Sequence, residues 1–161
     1  MRTAVLLVGL VVMSLVQPAV AQGWTTFVEP RLGTRLQFPS ELFSTHEGTA
    51  YRGIGEQYRT SDGRAALAVY SQPNLQHETP RNYLRRNNRA PKRIIDYVRV
   101  TRYFFAISAL DRGTIYYSRC NFSRKPGTIH CFDLKYPASE KRAWDETVTR
   151  ISRSLQPLER D

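Results

Sequence analysis

The chain has 161 residues, of which 24 are Lys or Arg and 14 are Asp or Glu, so its formal net charge at pH 7 is +10. The length suits one domain with a single continuous core, and the sequence contains no internal repeat or low-complexity segment. It also lacks a Gly-x-Ser-x-Gly elbow, a His-Glu-x-x-His helix, a P-loop and a zinc-type Cys/His spacing, which excludes the enzyme classes that depend on those motifs.

The first 21 residues have the pattern of a signal peptide. Arg2 provides a positive start, residues 4–16 form an apolar run, and residues 19–21 (Ala-Val-Ala) are the small residues that a signal peptidase requires before its cut. The apolar run is too short to span a bilayer well, although an uncleaved membrane anchor is the alternative. We predict cleavage near Ala21 and Gln22 and export to the periplasm or out of the cell, with no transmembrane segment in the mature chain.

Residues 22–161 would form the mature domain, with a net charge of +9. In the whole chain, twenty of the 24 basic residues are arginine. A surface of this kind attracts anionic lipid, an acidic polymer or an envelope protein. The simpler alternative is that the charge serves solubility, because the arginines are scattered along the chain. We expect a monomer with no nucleic-acid partner, no cofactor and no metal.

Two pairs of short strands are predicted in the first half of this domain. Residues 24–28 and 35–38 form the first pair, and residues 50–60 and 64–70 form the second around an Asp-Gly turn, which is a strong hairpin signal. The second pair would present one core-facing side, made of Ile54, Tyr58, Ala65, Leu67 and Val69. Residues 53–55 read Gly-Ile-Gly and predict a bulge or close packing rather than a phosphate-binding loop, because the rest of a nucleotide-binding motif is missing.

Thr79 is predicted to cap a helix that begins at Pro80 and ends near Arg89. Tyr83 and Leu84 can face the sheet from this helix. The densest group of positive charge lies in and just after the helix, and we call it the basic cluster: Arg81, Arg85, Arg86, Arg89, Lys92 and Arg93. The basic cluster is a candidate binding site for an anionic partner, and a solvated surface is the alternative.

Residues 114–136 predict a β-hairpin that carries both cysteines. A turn centred on Lys125 and Pro126 places Cys120 opposite Cys131. Cysteines in an exported protein pair more often than they stay reactive, so we predict a structural disulfide worth about 3 kcal/mol. The same register pairs Phe122 with Ile129 and Ser118 with Asp133. Both faces of the hairpin are apolar, which places it in the interior of the sheet.

The remaining elements are two strands and a second helix. Residues 94–100 and 103–110 are the strands, and the second of them is apolar on both faces, which favours a central position. Ser139 is predicted to cap the last helix. The apolar stripe of that helix consists of Trp144, Val148, Ile151 and Leu155. The predicted fold class is therefore α+β: a single antiparallel β-sheet of about six to eight strands flanked by two helices, with one hairpin disulfide.

One group of residues would form the site of a small envelope hydrolase if the fold brought it together. The group consists of His130, Asp133, Ser118 and Arg119, all in the cysteine hairpin. The alternative is structural: a neighbour would satisfy His130, and Asp133 would accept hydrogen bonds from Ser118 or pair with Lys135. We predict that the protein is not an enzyme.

Five segments resemble the PsbP-like or DcrB-like sandwich of small exported bacterial domains. They are RLGTRLQFPSELF, SDGRAALAVY, IYYSRC with IHCFDLKYPASE, and VTRISRSL. The resemblance spans nearly the whole mature chain and implies helices that flank an antiparallel sheet. Within this group, the chain is similar to periplasmic members from proteobacteria. PsbP-like proteins are non-catalytic accessory subunits, so the resemblance implies a non-enzymatic role and supplies no catalytic residue.

The residues and the resemblance together predict an exported, non-enzymatic accessory or binding protein with a basic surface. The alternatives are a small envelope hydrolase with a site near His130 and Asp133, and a secreted inhibitor or effector that binds another protein.

Overall fold

The computed structural model describes residues 23–87, 94–123 and 127–158. In chain order the elements are β1 (Trp24–Glu29), β2 (Thr34–Pro39), β3 (Thr45–Thr49), β4 (Ile54–Arg59), β5 (Ala66–Pro73), α1 (Pro80–Asn87), β6 (Ile94–Val100), β7 (Phe104–Asp111), β8 (Thr114–Ser123), β9 (Thr128–Pro137), a 3₁₀ turn (Ala138–Glu140), α2 (Lys141–Ser154) and β10 (Gln156–Pro157). The predicted signal peptide and its cleavage site lie outside the described residues, and so do Arg89, Lys92 and Arg93 of the basic cluster.

The strands form two antiparallel sheets. The large, seven-stranded sheet has the order β3-β4-β5-β9-β8-β7-β6, and the small sheet has the order β1-β2-β10. The α+β class, the two helices and the large antiparallel sheet were predicted correctly, but the prediction of a single sheet was wrong. Both edges of β2 are occupied by β1 and β10. Its side chains Leu36 and Phe38 instead cover part of the large sheet, because an apolar sheet face must be buried against a second layer.

The strand predicted over residues 50–60 is shorter than expected and has an additional partner. β4 covers only Ile54–Arg59, and β3 (Thr45–Thr49) pairs with it. β3 was not predicted because its sequence, THEGT, is largely exposed and has no apolar alternation. Between β3 and β4 the backbone N–H of Ala50 donates to the carbonyl of Gly55 (2.9 Å), which closes a tight turn.

Close packing at the Gly-Ile-Gly segment was predicted correctly. A Cβ at Gly55 would collide with the backbone of β5 at the carbonyl oxygen of Val69, and a Cβ at Gly53, whose φ is +60°, would collide with the next part of β5. Only glycine avoids these contacts. The turn before β4 therefore lies against β5, and it brings Tyr51 and Arg52 over one face of the large sheet.

The large sheet has a hydrophobic core on each face. One face packs against α2 and the small sheet, and we call it the α2 face; Phe132 and Trp144 are buried there. The other face packs against α1, and we call it the α1 face; Tyr83 and Phe105 are buried there. β8 and β9 lie in the middle of the sheet and contribute to both cores, which confirms the predicted interior position of the cysteine hairpin.

The cysteine hairpin has the predicted register. Cys120 lies opposite Cys131, and a disulfide joins them. The other two predicted pairs, Phe122 with Ile129 and Ser118 with Asp133, are also confirmed. β7 is buried over five consecutive residues, as expected of a strand covered on both faces, although it lies one strand from the β6 edge rather than at the centre.

Only one of the two helices is capped as predicted. Thr79 Oγ1 accepts a hydrogen bond from the backbone N–H of Asn82 (3.3 Å) at the start of α1. The predicted cap at Ser139 was wrong, because Ser139 lies in the 3₁₀ turn, where the N–H of Lys141 donates to the carbonyl of Ala138 instead. The apolar stripe of α2 is buried as predicted. Within the described ranges, neither helix has the length and apolarity needed to cross a membrane.

Candidate ligand-binding cavity

The residues proposed as an alternative catalytic group do not share a site. Side chains alternate between the two faces of a strand, so His130 and Asp133 on β9 lie on opposite faces of the large sheet. Ser118, opposite Asp133, lies on the α1 face, whereas Arg119, opposite Phe132, lies with His130 on the α2 face. The predicted alternative of a hydrolase site near both His130 and Asp133 was therefore wrong.

His130 is a core residue with a polar neighbour at each ring nitrogen. Its side chain is 1% exposed, its Nδ1 lies 2.7 Å from Thr34 Oγ1, and its Nε2 lies 3.3 Å from Ser123 Oγ. Burial lowers the pKa of His130 to about 4, against the opposing effect of the Glu29 carboxylate. The imidazole is therefore neutral at pH 7, and it links β9 to β2, which is the structural role predicted as the alternative.

Asp133, on the α1 face, binds three hydroxyl groups. Its Oδ2 accepts hydrogen bonds from the hydroxyls of Tyr51 and Tyr70, the second at 3.0 Å, and its Oδ1 accepts one from Ser118 at 2.5 Å. Ser118 was one of the two predicted partners of Asp133. The other, Lys135, forms no ion pair with it in the part of the chain that the structure describes.

A cavity of about 430 Å³ opens beside Asp133 on the α1 face. The sheet forms its floor, where Ser118 and Cys120 lie next to two alanines of β5. Its walls are mainly aromatic and comprise Tyr51, Tyr70, Tyr83, Phe105 and Tyr116. A volume of this size, with aromatic walls and a few polar groups, is typical of small-molecule sites in proteins.

Small side chains on β5 create this space. Leu67 and Val69 point to the α2 face and fill its core, whereas Ala66 and Ala68 point to the α1 face and leave it open. Ala68 is the register partner of Asp133, so the gap lies directly beside the carboxylate. The alternation of small and large residues in β5 is thus the local cause of the cavity.

The charged side chains among the described residues that line the cavity have a net charge of +1. They are Arg52, Lys135 and Asp133. The guanidinium of Arg52 lies over the ring of Tyr51, with Cζ 5.6 Å from the ring centroid. Burial acts to lower the pKa of Arg52, but Tyr70, Tyr51 and Asp133 outweigh it and leave the pKa raised. Arg52 is therefore a permanent cation at the cavity wall, and it has no ion pair among the described residues.

Two tyrosine hydroxyls at the cavity, those of Tyr70 and Tyr83, stay protonated. Burial, followed by the charge of Asp133, raises the pKa of Tyr70 well above its ordinary value. Burial also raises the pKa of Tyr83, whose hydroxyl accepts a hydrogen bond from Gln72 Nε2 (2.5 Å). These groups can donate hydrogen bonds but are not suited to act as bases near neutral pH. No set of three or more His, Cys, Asp or Glu side chains that could hold a metal occurs within the described ranges.

The described part of the basic cluster does not enter the cavity. Arg81 and Arg85 are exposed on α1, and Arg86 forms an ion pair with Glu78 (2.5 Å). Tyr83, which lines the cavity, lies on the other side of the helix from Arg81 and Arg85, since residues two positions apart face away from each other. Binding of an anionic partner by the basic cluster stays a prediction.

The cavity could not be predicted from the sequence, because its residues come from distant parts of the chain. The Tyr51–Asp133 hydrogen bond joins residues 82 positions apart, and no local pattern predicts such a contact. Tyr51 and Arg52 lie in a turn that had been assigned to a strand. The one usable signal was the sequence of β5, where alanine alternates with larger residues.

Among solved structures, the chain is similar to the solution structure of cyanobacterial PsbP (CyanoP) from Synechocystis sp. PCC 6803. The two align with a TM-score of 0.62 and 10% sequence identity, over 90% of this chain and 98% of that one. No protein-family model matches the chain, and no curated protein matches it in sequence. At this identity the likeness shows the fold alone, so the chain has a PsbP-like fold, as the resemblance implied.

Proposed function

We propose that the protein is an exported, non-enzymatic binding protein whose ligand site is the cavity on the α1 face. The observation that carries this proposal is the combination of aromatic walls, two cations and an open volume of about 430 Å³. The PsbP-like fold supports a non-enzymatic accessory role by analogy. Burial of His130 on the other face supports it too, because this removes the histidine from the open site.

The cavity lining favours a flat, partly aromatic anion as the ligand. Tyr51, which is exposed, and Tyr116, which is half-buried, offer ring surfaces to an apolar body. Arg52 and Lys135 attract a carboxylate or sulfonate group. Asp133 offsets only one of these two positive charges and forms an ion pair with neither cation among the described residues.

The disulfide supports export. Disulfides persist in oxidising compartments such as the periplasm, and Cys120 and Cys131 are bonded here. Mass spectrometry of the protein from its native host should find the chain starting at Gln22 with both cysteines oxidised. An intact Met1 or two free thiols would contradict this part of the proposal.

A fluorescence titration with 1-anilinonaphthalene-8-sulfonate tests the site, because this probe is aromatic and anionic. We expect saturable binding that Arg52→Gln weakens by about tenfold or more, since a hydrogen bond to a charged group contributes about 1.5–3 kcal/mol. Arg142→Gln is the matched control, because Arg142 is exposed on α2, on the other side of the large sheet. Equal weakening by the two substitutions, or binding that does not saturate, would contradict the proposal.

A further inference from the structure

The α2 face carries a second charged site, which the proposed function does not use. A groove of about 360 Å³ runs between α2 and the strands β6, β7 and β8. Three arginines, Arg99, Arg119 and Arg153, line one end of it. We propose that this end of the groove binds a phosphoryl group.

Two of these arginines flank a single small residue. Ala106 on β7 pairs with Arg99 on β6 and with Arg119 on β8, so the three residues form a row on one face of the sheet. Neighbouring strands are about 4.8 Å apart, which places the two arginine backbones about 10 Å from each other. The residue between them in this row is Ala106, whose short side chain leaves space in the groove beside both arginines.

Both guanidinium groups lie over the same aromatic ring. Phe104 precedes Ala106 by two positions and shares its face; its ring centroid is 4.3 Å from Cζ of Arg119 and 5.6 Å from Cζ of Arg99. The ring attracts both cations and so holds two like charges near each other. Burial and, to a smaller extent, the charge of Arg99 lower the pKa of Arg119, against the opposing effect of Tyr117.

Neither arginine has an acidic partner in the described part of the chain. Nε of Arg119 donates to Asn121 Oδ1 (3.0 Å), and its Nη1 donates to Ser152 Oγ (3.2 Å). A guanidinium has five N–H donors, so Arg119 keeps donors for a ligand in the groove. A bound anion would supply the missing counter-charge.

The carboxylates of the groove lie toward its other end. Asp96 forms an ion pair with Lys141 (2.6 Å). Asp145 precedes Ser152 by seven residues on α2, which separates them by about 10 Å along the helix axis. Among the described residues, no carboxylate therefore lies at the end of the groove that the arginines line.

A phosphoryl group suits this geometry better than a carboxylate. It has three strong acceptor oxygens and up to about two negative charges, so it can accept hydrogen bonds from two guanidinium groups at once. The hydroxyls of Tyr117 and Ser152, which lie 2.9 Å apart beside Arg119, add polar partners. A free phosphorylated molecule and a phospholipid head group share this chemistry. The test below separates the two sources.

Inorganic phosphate is the first probe, added to the intact protein at pH 7 and constant ionic strength. NMR signals of the arginine Nε–H groups report each guanidinium separately. We expect the signals of Arg99 and Arg119 to move saturably, and Arg99→Gln to weaken phosphate binding by about tenfold or more. Arg112→Gln is the control, because Arg112 is exposed in the β7–β8 turn, six residues or about 20 Å from Ala106. It should leave phosphate binding unchanged.

Arg99→Gln is the primary variant because Arg99 is exposed on the edge strand and its loss should not disturb folding. Arg119→Gln is the second variant. Its melting temperature is measured first, and if it is unchanged the variant is folded and should not bind phosphate. Comparable weakening by Arg112→Gln would overturn the proposal, since it would show that the general positive charge binds phosphate.

Vesicles of phosphatidylglycerol, compared with vesicles of phosphatidylcholine, are the second probe. Selective co-sedimentation that Arg99→Gln abolishes would assign the phosphoryl group to a lipid head group. Phosphate binding without vesicle binding would assign it to a free ligand. If neither arginine signal moves saturably with phosphate and neither vesicle binds selectively, the proposal is wrong.

Discussion

His130 makes the stability of this protein depend on pH. Its imidazole is buried between β9 and β2, and burial lowers its pKa from the ordinary 6.5 to about 4. Below pH 6.5 the unfolded chain therefore binds a proton that the folded protein accepts only near pH 4. The contribution of the neutral imidazole to stability is complete above pH 6.5, decreases as the pH falls from 6.5 to 4, and is lost below that.

The difference between the folded and unfolded pKa of His130 corresponds to about 3 kcal/mol. That is a large share of the roughly 5–15 kcal/mol by which folded proteins are stable. Urea unfolding at pH 7 and pH 4 measures this contribution of His130 when the wild type is compared with His130→Gln. The variant keeps a polar side chain but does not titrate. We expect the fall in unfolding free energy between the two pH values to be smaller in His130→Gln by about 3 kcal/mol. The exposed His77 supplies the control substitution His77→Gln, which should behave as the wild type. An equal fall in His130→Gln and the wild type would refute the assignment of a buried neutral imidazole.

Two further predictions concern the disulfide and the packing of β4. Replacing Cys120 and Cys131 together by Ser should lower the free energy of urea unfolding by about 3 kcal/mol. Reductant should lower the unfolding free energy of the wild type to the same value and leave that of the double variant unchanged. If reductant also lowers the unfolding free energy of the double variant, the loss of stability does not come from the disulfide. Gly55→Ala should lower the unfolding free energy by about 2 kcal/mol or more, because the added methyl group meets the carbonyl oxygen of Val69. The methyl group added by Gly23→Ala meets only a flexible side chain, so this substitution should change the unfolding free energy little. Equal losses of unfolding free energy in the two glycine variants would contradict the packing argument.

Patterns between near neighbours in the sequence predicted much of the fold. The pairing of Cys120 with Cys131 depends on one turn and on the alternation of side chains in the strands beside it, so it could be derived from a short segment. The same is true of the apolar stripe on α2. The β1–β2 pair was predicted, but the third strand of the small sheet was missed because it depends on distant pairing: Gln156 lies opposite Arg35, which no local pattern indicates.

The two candidate sites show the same limit. The Ser118–Asp133 hydrogen bond followed from the hairpin register, whereas the cavity around it also needs Tyr51 and Arg52, which a tight turn carries over the sheet. The basic cluster was noticed because its charges lie close together in the sequence. The row formed by Arg99 and Arg119 around Ala106 was not, because its members belong to three different strands.

Filling the cavity is the most direct test of its role as a ligand site. Ala68→Leu adds three carbon atoms that point into the open space beside Asp133, so the variant should fold with undiminished stability but lose the binding of 1-anilinonaphthalene-8-sulfonate. Leu67→Ala, one position away but on the α2 face, should instead cost about 2–5 kcal/mol of stability and leave probe binding intact. Unchanged affinity for the probe in a folded Ala68→Leu protein would contradict the account.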